Sequence, residues 1–150
     1  MTLDNLLRIG KLKPHAADKA EIGRLLAAAG RALMDAGIEG LSSDARLDLA
    51  YRAIMQVALA AMLAQGYRPA TSEPGHHQLI IQALPKTAGI AAERIRVLDG
   101  FRAARNQSDY RGVPVSDAVA QECLAEARAL VDEIRDWLAA HHPRLVQPDA

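Results

Sequence analysis

The side chains of this chain that are best suited to chemistry lie in one short segment, FRAARNQSDYRG, from Phe101 to Gly112. It brings together two guanidinium groups, an amide, a carboxylate and a phenol, on Arg102, Arg105, Asn106, Asp109 and Tyr110. Arginine side chains bind phosphate through paired, charge-assisted hydrogen bonds. The segment is therefore a candidate anion site.

The segment also continues the apolar side of a helix. At about 100° per residue, one side of that helix holds Ile95, Leu98 and Phe101, and Arg102, Arg105 and Asp109 fall on the same side with Asn106 at its margin. We predict that the polar cluster extends this buried side, where an unpaired charge costs several kcal/mol. Two interpretations follow. The cluster is either an ion-pair network, with Asp109 four residues after Arg105, or a phosphate site.

The elements that must position these residues are helices. Apolar residues recur with helical spacing, and strand signals are nearly absent. Caps, glycines and prolines place six helices, at Leu3–Ile9, from Asp18 to Gly37, from Ser42 or Ser43 to Gln65, at Gly75–Leu84, at Gly89–Asp109, and from Ser116 to His142. The segments KLKP and YRPATSEPG are predicted to be a linker and a loop. We expect an all-α fold, an up-and-down bundle of four to five helices with short extra helices.

The length of 150 residues indicates one domain. We assign residues 1–16 to a short helix and linker, 17–142 to the helical bundle, and 143–150 to a frayed tail.

Composition excludes a broad basic surface, because 18 Lys and Arg balance 18 Asp and Glu. A nucleic-acid or nucleotide site must then be local. Cys123 is the sole cysteine, so no intrachain disulfide forms. The N-terminus lacks signal-peptide features, and no apolar run approaches the ~18 residues of a membrane span. We predict a cytoplasmic protein with no membrane association.

Histidines and acidic residues give few further candidates. His76 and His77 open a short helix and are the best candidates for a role beside the arginine cluster. Glu73 and His76 match an E-x-x-H spacing, but Pro74 and Gly75 interrupt it and no second copy exists, so we predict no metal. The sequence also lacks a glycine-rich phosphate loop, zinc spacing and a Ser–His–Asp set, and we predict no cofactor.

The pattern R-x-x-R-N-x-x-D-Y resembles the signature of HEPN domains, which are α-helical bundles. The order of the surrounding features is similar to that of small bacterial members. These features are a long helix with Tyr51, GYRP at 66–69, GHH at 75–77 and a final helix opened by Ser116. The resemblance covers roughly Ala17 to Ala140.

The resemblance implies a symmetric homodimer, with the motif helices of two subunits forming a composite cleft. It implies binding of RNA or a nucleotide by Arg102, Arg105, Asn106, Asp109 and Tyr110, with His76 and His77 beside them. Many members are metal-independent endoribonucleases, and many act as toxins paired with an antitoxin or a nucleotidyltransferase.

The signature of active members is arginine, four to six residues, then histidine. Here Tyr110 stands where the histidine would, and Gly112 replaces a tyrosine found two residues later in some toxins. Arg105 and Tyr110 are the candidate catalytic residues. Because tyrosine is a poor base at neutral pH, we expect weak or absent ribonuclease activity. The alternative is a non-catalytic helical homodimer that acts as an interaction module.

Overall fold

The protein is described by a computed structural model that covers residues 2–71 and 75–148. Its helices are α1 (Leu3–Arg8), α2 (Lys19–Ala36), α3 (Ser43–Ala64), α4 (His76–Gln82), α5 (Leu84–Thr87), α6 (Ala92–Arg111) and α7 (Asp117–His141). A single turn of 3-10 helix follows at Pro143–Leu145. Two strands, β1 (Leu12–Pro14) and β2 (Tyr67–Pro69), complete the described elements. The predicted all-α class is confirmed.

Four helices begin at side-chain caps. Thr2, Asp18, Ser42 and Ser116 each accept a hydrogen bond from the backbone N–H three residues later. Such a bond satisfies one of the unpaired N–H groups in the first helical turn. These caps fix the starts of α1, α2, α3 and α7 where the sequence predicted them.

The core is organised around α3, which packs along α2 on one side and α7 on the other. Eleven of its residues are buried, and five of them are alanines, namely Ala50, Ala53, Ala58, Ala60 and Ala61. Small side chains let neighbouring helices approach closely. Larger side chains such as Leu47, Ile54 and Met62 fill the remaining space without exposure.

The helix that carries the arginine cluster is much less buried than its neighbours. Of the twenty described residues of α6, Leu98 and Phe101 are the buried ones, whereas α7 buries eight residues. Polar contacts supplement this packing, since Arg94 forms ion pairs with Glu126 and Glu133 of α7. The attachment of α6 therefore combines limited apolar packing with partly exposed ion pairs.

The strand pair was not predicted from the sequence. Leu12, Lys13 and Pro14 pair in antiparallel register with Pro69, Arg68 and Tyr67. These strands are too short to show alternation, and their partners lie more than fifty residues apart, so local patterns give no signal. The predicted linker and the start of the predicted loop are thus joined, and Leu12 is fully buried.

Several helix boundaries also differ from the prediction. The helix expected at 75–84 is divided into α4 and α5, and Pro85 lies in the first turn of α5, where its missing N–H is not needed. The next helix begins at Ala92, because Gly89 has φ +70° and the N-cap residue Ala91 is extended, so neither belongs to the helix. It ends at Arg111, with Gly112 at φ +66° as its cap.

The C-terminal segment was predicted to fray from residue 143, but it packs against the core as far as Val146. Leu145 and Val146 contact the core beside α2 and α7. Of the part of the chain that the structure describes, one helix, α3, is long and apolar enough to cross a membrane, with a mean hydropathy of 1.4 over its best window. That helix is the centre of the core, with 61% of the window buried, and packing accounts for its composition. The cytoplasmic location stays a prediction.

Candidate anion-binding cleft

A cleft of about 310 Å³ lies where α3, α4 and α6 meet. The described residues that line it are Tyr51, Gly75, His76, His77, Gln78, Arg102, Arg105, Asn106 and Tyr110. These residues include two arginines, two histidines and several neutral polar groups, and no carboxylate. The lining is locally cationic although the whole chain carries no net charge.

The structure brings six of the seven sequence-predicted site residues into this cleft, from two helices that are separate in sequence. Asp109 is the exception. It is exposed and does not line the cleft, but its Oδ2 lies 3.7 Å from Arg105 Nε, so the predicted Arg105–Asp109 ion pair is confirmed. Asn106 is exposed as well, so the expected burial of the polar cluster holds only for the half-buried Arg102 and Arg105.

Arg102 is held by a carboxylate one turn earlier on the same helix. Its Nε donates to Asp99 Oδ1 at 2.7 Å and its Nη2 approaches Oδ2 at 3.4 Å. This hydrogen-bonded partner raises the pKa of Arg102, so the guanidinium stays charged. The pair uses two of the five N–H donors of the group and fixes the direction of the others.

Arg105 is held from the opposite helix. Its Nε lies 3.3 Å from Asp48 Oδ1 on α3, and its guanidinium carbon lies 5.3 Å from the centre of the Tyr51 ring. Among the described residues the buried Nε has no hydrogen-bond partner of good geometry, so these contacts are mainly electrostatic. Because Asp48 and Tyr51 belong to α3, helical spacing within 101–112 could not reveal them.

Tyr51 is the main cleft residue that the sequence analysis did not assign to the site. It is 2% exposed and lies on the alanine-rich side of α3. Burial raises the pKa of Tyr51 to about 12, although nearby Arg105 and Arg102 lower it. The phenol therefore stays protonated at neutral pH and serves as a hydrogen-bond donor, not as a base. The feature of the sequence that could have indicated this role is a single tyrosine, with its polar hydroxyl, among the buried alanines of α3.

His76 and His77 lie in the first turn of α4, after Gly75 at φ +77°. Their rings meet edge to face, with centroids 4.4 Å apart. Burial, then His76, then Arg105 lower the pKa of His77. His77 is therefore neutral at neutral pH, and one ring nitrogen accepts a hydrogen bond or a proton.

Tyr110, the residue in the place of the expected histidine, lies at the outer rim. Its side chain is 85% exposed, near the C-terminal end of α6. In this position the phenol can contact a ligand in the cleft and can stack on a flat group. Tyr110 is thus exposed to solvent, whereas Tyr51 is buried.

The described part of the chain contains no group of three or more His, Cys, Asp and Glu side chains placed to hold a metal ion. Glu73, the first residue of the E-x-x-H spacing, lies outside the described residues. Cys123 is buried, and burial raises its pKa to about 12, so it is a protonated core thiol.

No family model, curated protein or solved structure matches this chain. The likeness to HEPN domains therefore depends on the motif and on the order of the surrounding features in the sequence.

The environment of His77 predicts its titration. We expect NMR titration of the histidine rings to give His77 a pKa below the 6.5 of an unperturbed histidine. Arg105→Gln removes a cation that disfavours protonation, so the pKa of His77 should rise in that variant. Arg31→Gln, on the exposed side of α2, is the control and should leave it unchanged. A pKa at or above 6.5, or no response to Arg105→Gln, would show that the cleft geometry is wrong.

Proposed function

We propose that the protein binds phosphate groups of RNA or of a nucleotide in this cleft, as a HEPN-like protein. The observation that carries the proposal is the cleft lining, which holds two arginines, two histidines and no carboxylate among its described residues. A chain with balanced charges needs such a local concentration of donors to attract an anion. The guanidinium groups of the two arginines supply positive charge and pairs of directed N–H donors for a phosphate. Tyr51 supplies a protonated phenol that can donate a further hydrogen bond.

The carboxylates around the cleft support this proposal because of where they lie. Asp48, Asp99 and Asp109 contact the arginines but do not line the cleft. They restrain the two long side chains, so less conformational entropy is lost when a phosphate binds. An ion-pair network alone would need neither a cleft nor two histidines. Partly exposed ion pairs of this kind also contribute only about 0–1 kcal/mol each to stability.

The proposed biological role follows the resemblance. The protein would act in the cytoplasm as the toxin-like component of a toxin–antitoxin or defence system, paired with an antitoxin or a nucleotidyltransferase. Any enzymatic activity would be metal-independent endoribonuclease activity. In such a reaction Arg105 would stabilise phosphate charge, and His77 is better suited than Tyr110 to move a proton, because His77 is neutral near pH 7.

The alternative, a non-catalytic homodimer, is favoured by the exposure of α6. This helix leaves Val97 and Tyr110 at the surface, and Val113 follows just beyond its end. We propose that α6 contacts α6 of a second copy, which is compatible with either function because two clefts would then lie near one interface.

Binding should depend on the arginines of the cleft. Arg105→Ala should weaken binding of a short fluorescent RNA by roughly 10- to 100-fold, since hydrogen bonds to charged groups contribute about 1.5–3 kcal/mol. Arg111→Ala is the control, because Arg111 ends the same helix, is exposed and does not line the cleft. Fluorescence anisotropy at several salt concentrations measures both effects, and salt should weaken binding to the unchanged protein. Absent binding, or equal loss in both variants, would favour the ion-pair interpretation.

Assembly through α6 should be visible in the molecular mass. We expect light scattering at micromolar concentration to give about twice the chain mass of 16.1 kDa. Val97→Asp places a charge on the exposed side of α6 and should shift the mass towards the monomer. Ile38→Asp, at an exposed aliphatic position between α2 and α3, is the matched control. A monomer in the unchanged protein would contradict the proposed dimer.

Ribonuclease activity should be weak or missing at pH 7. General acid–base assistance contributes about 10²–10⁴-fold, and an exposed tyrosine in place of the histidine forfeits most of it. Purified protein is incubated with mixed RNA and a chelator, and cleavage is compared with that of Tyr110→Phe and His77→Ala. Any residual cleavage should fall more in His77→Ala. Robust cleavage that Tyr110→Phe alone abolishes would overturn this assignment.

A further inference from the structure

A second cavity, of about 250 Å³, adjoins the anion-binding cleft, and His76 and His77 line both. The other described residues that line it are Arg52, Met55, Gln56, Leu59, Pro69, Thr71 and Ile80. It is smaller than the 300–1,000 Å³ typical of sites for drug-sized ligands, which suits a single flat ring system. The two histidines form a common wall between a polar cleft and this mostly apolar cavity.

Gln56 gives this cavity a specific polar group. It lies on α3, and its Oε1 is buried without a hydrogen-bond partner among the described residues. Buried carbonyl oxygens in folded proteins nearly always accept a hydrogen bond, so an unpaired one needs an explanation. Met55, Leu59 and Ile80 offer no donor, and Arg52, Thr71 and the two histidines, which also line the cavity, make no hydrogen bond to this oxygen. A ligand that enters the cavity with an N–H group would satisfy the amide.

The arrangement favours a ligand with an anionic end and a flat, largely apolar end that carries hydrogen-bond donors. The anionic end would contact Arg102 and Arg105 in the cleft. The flat end would extend past His76 and His77 into the second cavity. A nucleotide has this chemistry, with a phosphate at one end and a base at the other. Aromatic side chains such as those of His76 and His77 are suitable partners for base stacking.

We propose that the second cavity binds the adenine base of an adenosine 5′-phosphate, free or at an RNA end, and that the Gln56 amide recognises the base. This inference rests on the proposed phosphate binding. A glutamine amide pairs with adenine through two hydrogen bonds, in which Oε1 accepts from the 6-amino group and Nε2 donates to a ring nitrogen. When that ring nitrogen is N7, the same edge of inosine 5′-phosphate presents two acceptors, O6 and N7, and the Gln56 amide cannot pair with both in either orientation.

Isothermal titration calorimetry with three small ligands tests the proposal. AMP should bind roughly tenfold more tightly than IMP, because one good pair of base contacts discriminates by about that factor. AMP should also bind more tightly than ribose 5-phosphate, which has no base. If AMP, IMP and ribose 5-phosphate bind equally well, the base pocket is wrong while phosphate binding stands. If none binds, both proposals fail.

Gln56→Met keeps the length of the side chain and removes its amide. In this variant AMP and IMP should bind equally well, while ribose 5-phosphate binds as before. Gln107→Met, at an exposed position of α6 outside both cavities, should keep the preference for AMP. Discrimination that survives Gln56→Met would overturn the role of Gln56. The comparison of AMP with IMP on the unchanged protein decides the question if the variant does not fold.

A 5′-phosphorylated triadenylate distinguishes the two sources of the ligand. Tighter binding than that of AMP assigns the cavity to an RNA end, and weaker binding assigns it to a free nucleotide. The corresponding triuridylate should bind more weakly than the triadenylate. If the triadenylate binds more tightly than AMP, equal affinity for the triuridylate would contradict recognition of adenine.

Discussion

The candidate site depends on how Arg105 is held between α3 and α6. Its guanidinium lies over the ring of Tyr51, and its Nε faces Asp48 of α3. Since α6 buries so little apolar surface, contacts of this kind help to set the distance between the two helices. The same side chains therefore determine the width of the cleft and help to attach α6 to α3. A change at Arg105 acts on ligand binding and on helix packing together, so the thermal stability of an Arg105 variant has to be measured beside its ligand affinity.

The cationic character of the cleft comes from the positions of the charged groups around it, not from their total charge. Three carboxylates accompany two arginines, yet none of the three lines the cavity. A carboxylate that contacts the far side of a guanidinium restrains it without occupying the side that faces the cleft. The arrangement reconciles the two interpretations of the sequence motif. The ion pairs exist, and they hold the arginines in place beside an open cavity.

The parts of this structure that the sequence could predict are those with local signals. The caps at Asp18, Ser42 and Ser116 and the Arg105–Asp109 pair each involve residues three or four positions apart. The strand pair, the Asp48 contact and the position of Tyr51 each join segments distant in sequence, and no local pattern encodes them. The Gln56 cavity is a further case, because one glutamine in an apolar helix carries no sequence signal until its neighbours are known.

The environment of the cleft displaces the pKa values of the buried Tyr51 and the exposed His77 in opposite directions. For Tyr51 burial and the arginines act in opposite directions, and burial is the larger effect, so its pKa rises. For His77 burial, His76 and Arg105 all act in the same direction, so its pKa falls. One group thus keeps its proton at neutral pH and the other lacks the extra proton that would charge it. With a pKa of about 12, Tyr51 can donate a hydrogen bond but is a poor proton donor at neutral pH, whereas the neutral ring of His77 can accept a proton. The cleft thus has a hydrogen-bond donor in Tyr51 and a proton acceptor in His77, neither of which depends on Tyr110, so the missing motif histidine does not by itself remove every proton acceptor from the cleft.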